Sequence, residues 1–208
     1  MYVKQFMTSQ VFTVTPDDNV ADTMALMREK KINRLPVIQK GKLVGIVTDG
    51  DLREVSPSPA TTLSIFELNY LVAKMKIRDV AVKNVIACSP DTKIEDAAVL
   101  MRDHGIGSLP VLDNDKLVGI ITETDIFDTF LDIMGFRSPG QRVVIETKDG
   151  VGVMMDLAAI VKAYDVNMTS LAVYHLKNNM VQILVRLSGD REKEVKDALI
   201  EKGYDVSN

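Results

Sequence analysis

Residues 43–52 read LVGIVTDGDL, and residues 117–126 read LVGIITETDI. Each stretch runs through apolar residues to a threonine and meets an aspartate three positions later, at Thr48 and Asp51 and again at Thr122 and Asp125. Sliding the chain by 74 residues extends the match without a gap, laying 7–52 over 81–126 with 18 of the 46 pairs identical. Pro16/Pro90, Asp17/Asp91, Met27/Met101, Pro36/Pro110 and Gly45/Gly119 are among them. A repeat of this kind is one supersecondary unit written twice, so the content of the unit decides the fold.

Each copy has the same layout. VFTVTPDD and VIACSPDT predict short strands that stop at a proline, which has no N–H to donate. Val20, Met24 and Met27, with Ile94, Ala98 and Met101 in the second copy, recur at helical spacing. Gly105 is placed to end the second of these helices. LPVIQKGKLVGIVT and LPVLDNDKLVGIIT predict β-hairpins around QKGK and DNDK turns, and a final helix starts at Asp49 or Glu123. The unit is therefore β-α-β-β-α. One such unit buries too little apolar surface to stand alone, so the two copies are expected to pack on each other through their sheets. Between them, SPSPATTLSIFELNYLVAKMK opens with turn residues and continues with Leu63, Phe66 and Tyr70 at helical spacing, which predicts a linker helix within 55–76.

Composition narrows the function. The 208 residues are 46% hydrophobic and carry a net charge of −4, with no strongly basic segment, so nucleic-acid binding through a basic face is not expected. No apolar run approaches the length of a membrane span, and MYVKQFMTSQ lacks the features of a signal peptide. A single cysteine, Cys88, excludes an intramolecular disulfide framework and fits a reducing compartment. A cytoplasmic location is expected.

Thr-x-x-Asp ahead of a helix serves two purposes. As a capping box, the threonine oxygen accepts the N–H of the aspartate while the carboxylate complements the positive helix end. As a ligand site, the same helix end offers N–H groups to phosphate, a threonine hydroxyl adds a donor, and a carboxylate accepts two hydrogen bonds from a vicinal diol. The two roles are compatible.

KQFMT near the start, INRLPV and IGSLPV in the middle, and GIVTDGD and GIITETD at the end resemble a tandem pair of CBS domains. The resemblance covers roughly residues 1–133, placing one domain at 1–54 and the other at 77–134. It implies a cleft that holds an adenosine-containing ligand (AMP, ADP, ATP, S-adenosylmethionine or NAD). The aspartates Asp51 and Asp125 would hold the ribose, and Thr48 and Thr122 would lie by the phosphate. The slot before each Leu-Pro, Asn33-Arg34 in one copy and Gly107-Ser108 in the other, would line the cleft together with Pro36 and Pro110. Arg34 suits phosphate in a way that Ser108 does not, and Thr13, opposite Ala87, suits an adenine edge. The pockets are thus expected to be unequal.

After the turn-rich GFRSPGQ, the period changes. RVVIETK, GVGVMMDLAAIVKAY, NMTSLAVYHL, MVQILVRLS, a helix through REKEVKDALIEKG capped by Asp190, and YDV predict strand, helix, strand, strand, helix, strand. That order is ferredoxin-like. With the KDGVG loop after its first strand, the segment 139–208 resembles an ACT domain, a small-molecule regulatory module. The resemblance implies an amino-acid site at Asp149, Gly150 and Gly152, although the proline usual before the glycine is absent. A plain tight turn feeding a helix explains the same residues.

The expected fold class is α+β: two tandem CBS domains followed by an ACT domain. No P-loop, nucleophile elbow or Rossmann fingerprint occurs, and His104 and His175 have no ligand partners at metal spacing. The expectation is a non-enzymatic regulatory sensor without catalytic cofactor or metal. It would bind an adenosine nucleotide, pair as a homodimer and act on a separate protein. The alternatives are an oligomerisation module with non-functional pockets and an amino-acid sensor working through the C-terminal loop.

Overall fold

The computed structural model describes residues 1–55 and 74–207. The predicted linker helix therefore lies almost wholly outside the described residues. The chain divides into two compact units, Met1–Ile126 and Phe127–Asn208.

In the first unit each copy contributes a helix and a hairpin. Copy one has α1 (Val20–Lys30), β1 (Arg34–Gln39), β2 (Lys42–Thr48) and the short α2 (Asp49–Glu54). After the one-turn α3 (Ile77–Val80), copy two has α4 (Ile94–His104), β3 (Ser108–Asp113), β4 (Lys116–Thr122) and α5 (Glu123–Ile133), whose C-terminal end belongs to the second unit. The hairpins share register and bulge position, between Val37 and Ile38 and between Val111 and Leu112. Both turns hold two successive left-handed residues, Lys40-Gly41 and Asn114-Asp115, the conformation that matches the twist of a tight hairpin. α1 and α4 bury positions i, i+3 and i+7, namely Val20, Thr23 and Met27, and Ile94, Ala97 and Met101. Met24 and Ala98, expected in the core, are half-buried instead.

The predicted first strands shrink to single parallel bridges, Val14 to Val37 and Cys88 to Val111. Val14 donates to Pro36 O at 3.1 Å and accepts from Ile38 N–H at 2.8 Å, and Cys88 repeats the pattern with Pro110 and Leu112. A proline two residues on, Pro16 or Pro90, has no N–H with which to continue the ladder.

The leading segment of each copy is built into the other. Val3, wholly buried, lies in the core of copy two with Met101, Leu109 and Ile121. Its repeat mate Ile77, equally buried, lies in the core of copy one with Met27, Leu35 and Leu52. The backbone bonds are matched pair by pair. Val3 N–H reaches Thr92 O and Ile77 N–H reaches Asp18 O, both at 2.9 Å, while Lys4 to Pro90 and Arg78 to Pro16 are both 3.0 Å. Even the exposed ion pairs repeat, as Lys4 with Asp91 and Arg78 with Asp17.

The second unit has β5 (Gln141–Lys148), α6 (Val153–Ala163), β6 (Asn167–His175), β7 (Met180–Ser188), α7 (Glu192–Glu201) and β8 (Asp205–Ser207). Its antiparallel sheet runs β6-β7-β5-β8, the strand order of a split β-α-β fold. Val143, Ile145, Val181, Ile183, Val185 and Leu187 point to one side and pack on Leu157 and Val161 of α6 and Val195 and Leu199 of α7. The β6–β7 turn places Asn178 and Asn179 in left-handed conformation. α7 is not capped by Asp190: Arg191 occupies the N-cap, and the first turn is tied back by Glu192, which accepts the Gly189 N–H at 3.2 Å.

Candidate functional site

Thr48 sits in extended conformation at the end of β2, so its side chain overhangs the first turn of α2. Its Oγ1 accepts the Asp51 N–H at 3.2 Å, and Asp51 Oδ2 accepts both the Thr48 N–H at 2.8 Å and the Thr48 hydroxyl at 2.7 Å. Thr122 and Asp125 repeat this box with distances of 3.3, 2.8 and 2.7 Å. A carboxylate can only accept, so each hydroxyl proton is committed to its aspartate. Without a ligand, the threonine hydroxyls are thus turned to the aspartates of their own boxes. Further donors of the first turn are committed too: Asp49 N–H bonds Asn33 O at 2.9 Å, and Glu123 N–H bonds Gly107 O at 3.2 Å. Of the first three N–H groups of α2, only that of Gly50 lacks a partner among the described residues. Asp51 Oδ1 is likewise without a hydrogen bond among the described residues, which leaves it able to accept from a ligand hydroxyl.

The exchanged leading segments turn these boxes into walls of two clefts. Val82 pairs with Ile46 through bonds of 2.9 and 3.0 Å, and Thr8 pairs with Ile120 in the same way. The larger cleft, about 460 Å³, brings Ile46, Thr48, Gly50 and Asp51 of copy one together with Val82, Val85, Ile86, Gly107, Ser108 and Pro110 of copy two. The smaller, about 280 Å³, brings Ile120, Thr122 and Thr124 together with Thr8, Val11, Phe12 and Lys31. Shifting the numbers by 74 carries every residue of the smaller lining onto one of the larger. The larger volume lies within the range of small-molecule sites, and its apolar walls with a few convergent polar groups are their usual make-up.

Of the residues expected at the site, Asn33, Arg34, Thr48, Asp51, Ser108 and Pro110 meet in the larger cleft. Thr122 meets Asn33 and Arg34 in the smaller one. Asn33 and Arg34 thus line both. Pro36 and Asp125 are not among the lining residues of either cleft. Thr13 is elsewhere: it adjoins Val14, which bridges to Val37 of β1, and lines a shallow depression with Asp17, Asp18 and Asn19. Sequence reasoning missed Val82, Val85, Ile86 and Ile46. Their signal was the repeat itself, because each is the counterpart of a lining residue of the other cleft.

Cys88 is buried, and desolvation pushes its thiol up to about 11; it packs in the core of copy two. No cluster of His, Cys, Asp or Glu suited to a metal occurs among the described residues, and no described helix is long and apolar enough to cross a membrane.

In the second unit, Gly152 takes the left-handed N-cap of α6 at φ +96°. Asp149 is bound to the β6–β7 turn: its N–H donates to Asn179 O at 2.8 Å, its carbonyl accepts Asn179 Nδ2 at 3.1 Å, and its carboxylate lies 3.7 Å from His175 Nε2. Asp149, Gly150 and Gly152 are thus adjacent, in a loop closed by its neighbour strands.

Comparison with known proteins bears on the first unit. CBSX2 of Arabidopsis thaliana in complex with AMP is similar at 32% identity, over 64% of this chain and 97% of that one, with a TM-score of 0.53. The CBS domain pair of protein MJ0100, solved with 5′-methylthioadenosine and S-adenosyl-L-methionine, is similar at 26% identity, over 62% and 95%, with a TM-score of 0.52. A Vibrio cholerae protein provisionally assigned to acetoin utilisation is similar at 26% identity, over 68% and 98%, with a TM-score of 0.55. The CBS domain family itself matches residues 3–58 and 77–132. With both repeats matched, the chain belongs to the CBS-domain family.

Proposed function

We propose that the protein is a regulatory sensor that binds an adenosine-containing ligand in the clefts of its CBS pair and controls a separate protein. The observation that carries this reading is the larger cleft, where the Asp51 carboxylate, the Gly50 N–H and the Arg34 side chain converge beside the apolar Val82, Val85 and Ile86. Ribose hydroxyls suit the carboxylate, phosphate suits the cation and the amide, and a purine suits the apolar wall. The AMP, S-adenosyl-L-methionine and 5′-methylthioadenosine bound by the similar CBS pairs support the ligand class. In this reading the domains run 1–54, 77–134 and 139–208, the location is the cytoplasm, and Asn33, Arg34, Thr48, Asp51, Ser108 and Pro110 serve the larger cleft with Thr122 beside the smaller. The second unit is an ACT domain, for which its strand order argues. A place in acetoin or related carbon metabolism rests on the Vibrio cholerae likeness.

Association into a homodimer completes the reading. The strand β6 forms an open edge of its sheet, and Phe127, Phe130, Ile133 and Phe136 are exposed; edges and apolar patches of this kind are usually covered.

The test is thermal unfolding of the full chain with AMP, ADP, ATP, S-adenosylmethionine, NADH and a set of amino acids. A ligand at about 100 times its dissociation constant adds roughly 2.7 kcal/mol and raises the midpoint. The expected result is a rise with one adenosine compound that Asp51→Ala abolishes. No rise with any of them refutes the adenosine reading, and a rise with an amino acid alone transfers the sensor role to the Asp149–Gly152 loop.

A further inference from the structure

Arg34 touches both clefts, and its repeat mate cannot return the favour. Its backbone is in register with Thr48 across the β1–β2 hairpin, beside the box that walls the larger cleft. Its guanidinium extends to the other copy and lies over Gly107. A Cβ built on Gly107 would stand 3.0 and 3.3 Å from the two terminal nitrogens of Arg34, and 3.0 Å from Glu123 Oε2. Glu123 directly follows Thr122, whose box walls the smaller cleft. The side chain therefore spans from one box to the other, and it fits there because position 107 has no side chain. At the equivalent place copy two offers Ser108, which is short and buried. Among the described residues no ion pair holds the Arg34 guanidinium.

We propose that Arg34 is a single phosphate anchor shared by the two clefts, so that phosphate-bearing adenosine ligands in the two clefts bind with negative coupling. The proposal rests on the adenosine reading given above and adds a regulation to it. A guanidinium swung toward a phosphate in one cleft is withdrawn from the other. The second ligand then meets a site without its cation and with a like charge nearby, and the penalty is reciprocal. An adenosine compound without phosphate has no use for the anchor and binds the two clefts independently. Lys31, which lines only the smaller cleft, offers that cleft a partial substitute.

The experiment is calorimetric titration of the full chain with AMP and with adenosine, using variants that leave one cleft open. Val11→Trp fills the smaller cleft and Val85→Trp the larger; the two positions are repeat mates. Arg34→Ser installs the residue that copy two already carries there. The expected result is one AMP bound by each single-cleft variant, weakened roughly tenfold or more in both by Arg34→Ser. In the unblocked chain the second AMP is expected to bind at least about tenfold more weakly than the same cleft binds it alone. Adenosine is expected to bind without coupling and without response to Arg34→Ser. Weakening of AMP in only one of the two clefts overturns the sharing, as does an unblocked chain that binds two AMP with the single-cleft affinities. Binding of neither AMP nor adenosine to any form overturns this proposal together with the adenosine reading beneath it.

Discussion

Val3 lies in the sequence of copy one and in the core of copy two, so a mutation there should damage the copy it does not belong to. Its side chain is wholly buried beside Met101, Leu109 and Ile121. Val3→Ala removes two methyl-sized groups, a transfer loss of about 1.6 kcal/mol, and the unfilled space raises the cost to about 2–3 kcal/mol. Ile77→Ala, the mirror change in the core of copy one, should cost about 3–4 kcal/mol. Stability alone does not say which core was damaged, but double-mutant cycles do. Urea unfolding of Val3→Ala combined with Leu109→Ala or Met101→Ala should show a coupling above about 0.5 kcal/mol in at least one pair. Val3→Ala combined with Leu35→Ala or Met27→Ala should be additive within about 0.5 kcal/mol, and Ile77→Ala should show the reverse preference. Coupling of Val3 to Leu35 or Met27, with none to Leu109 or Met101, would refute the exchange of leading segments.

Two further outcomes are expected. The Cys88 thiol is pushed up from 9.0 to about 11 by burial, so the folded state holds its proton more tightly than the unfolded one; its contribution to stability is complete below about pH 9 and falls as pH rises toward 11. Thiol-reactive dye at pH 8 should accordingly label the chain only on unfolding, and prompt labelling of the native protein would contradict the burial. Gly140 has φ +110°, and a Cβ there would come within contact of the Leu187 carbonyl at 2.0 Å; Gly140→Ala should destabilise the second unit by more than about 2 kcal/mol in denaturant unfolding, a loss absent from Gly41→Ala controls beyond the strain of their shared positive φ.

How much of this was legible in the sequence follows from where each signal resides. Identity at a fixed offset, as in Pro36/Pro110 and Asp51/Asp125, revealed the repeat, and alternating apolar residues around QKGK and DNDK revealed the hairpins. The exchange left almost no such trace. Val3/Ile77 and Lys4/Arg78 share chemistry but no identity, Tyr2/Lys76 share neither, and a local pattern does not say which core a short turn enters. Thr13 was expected near an adenine edge because the resemblance and its contrast with Ala87 suggested a donor there; its position beside the Val14 bridge puts it in a depression with Asp17, Asp18 and Asn19 instead. The hydroxyl of Thr48 was legible as a donor at a helix end, but its 2.7 Å bond to Asp51 Oδ2 depends on the side-chain conformation of the box, which no sequence pattern encodes. The reach of Arg34 depends on an absent side chain 73 positions away, at Gly107, which no periodicity encodes.

The exchange also bears on how a ligand could be felt elsewhere in the molecule. Neither cleft exists within one copy: Ile46 and Thr48 gain a facing wall only because Val82, Val85 and Ile86 cross over to meet them, and the Thr8–Ile120 pairing does the same for the other cleft. A ligand held between these walls bonds to both copies at once, so its binding free energy depends on their relative placement. By linkage it favours whichever placement it binds better, by no more than the difference in affinity. Asp51 and Thr48 sit at the start of α2, and Thr122 directly precedes α5, so a ligand bound as proposed would touch the first turn of the helix that follows each hairpin. In the Met1–Ile126 unit the capping box and the cleft wall share the same residues, so a substitution that uncaps α2, such as Thr48→Ala, should lower stability and alter the larger cleft together.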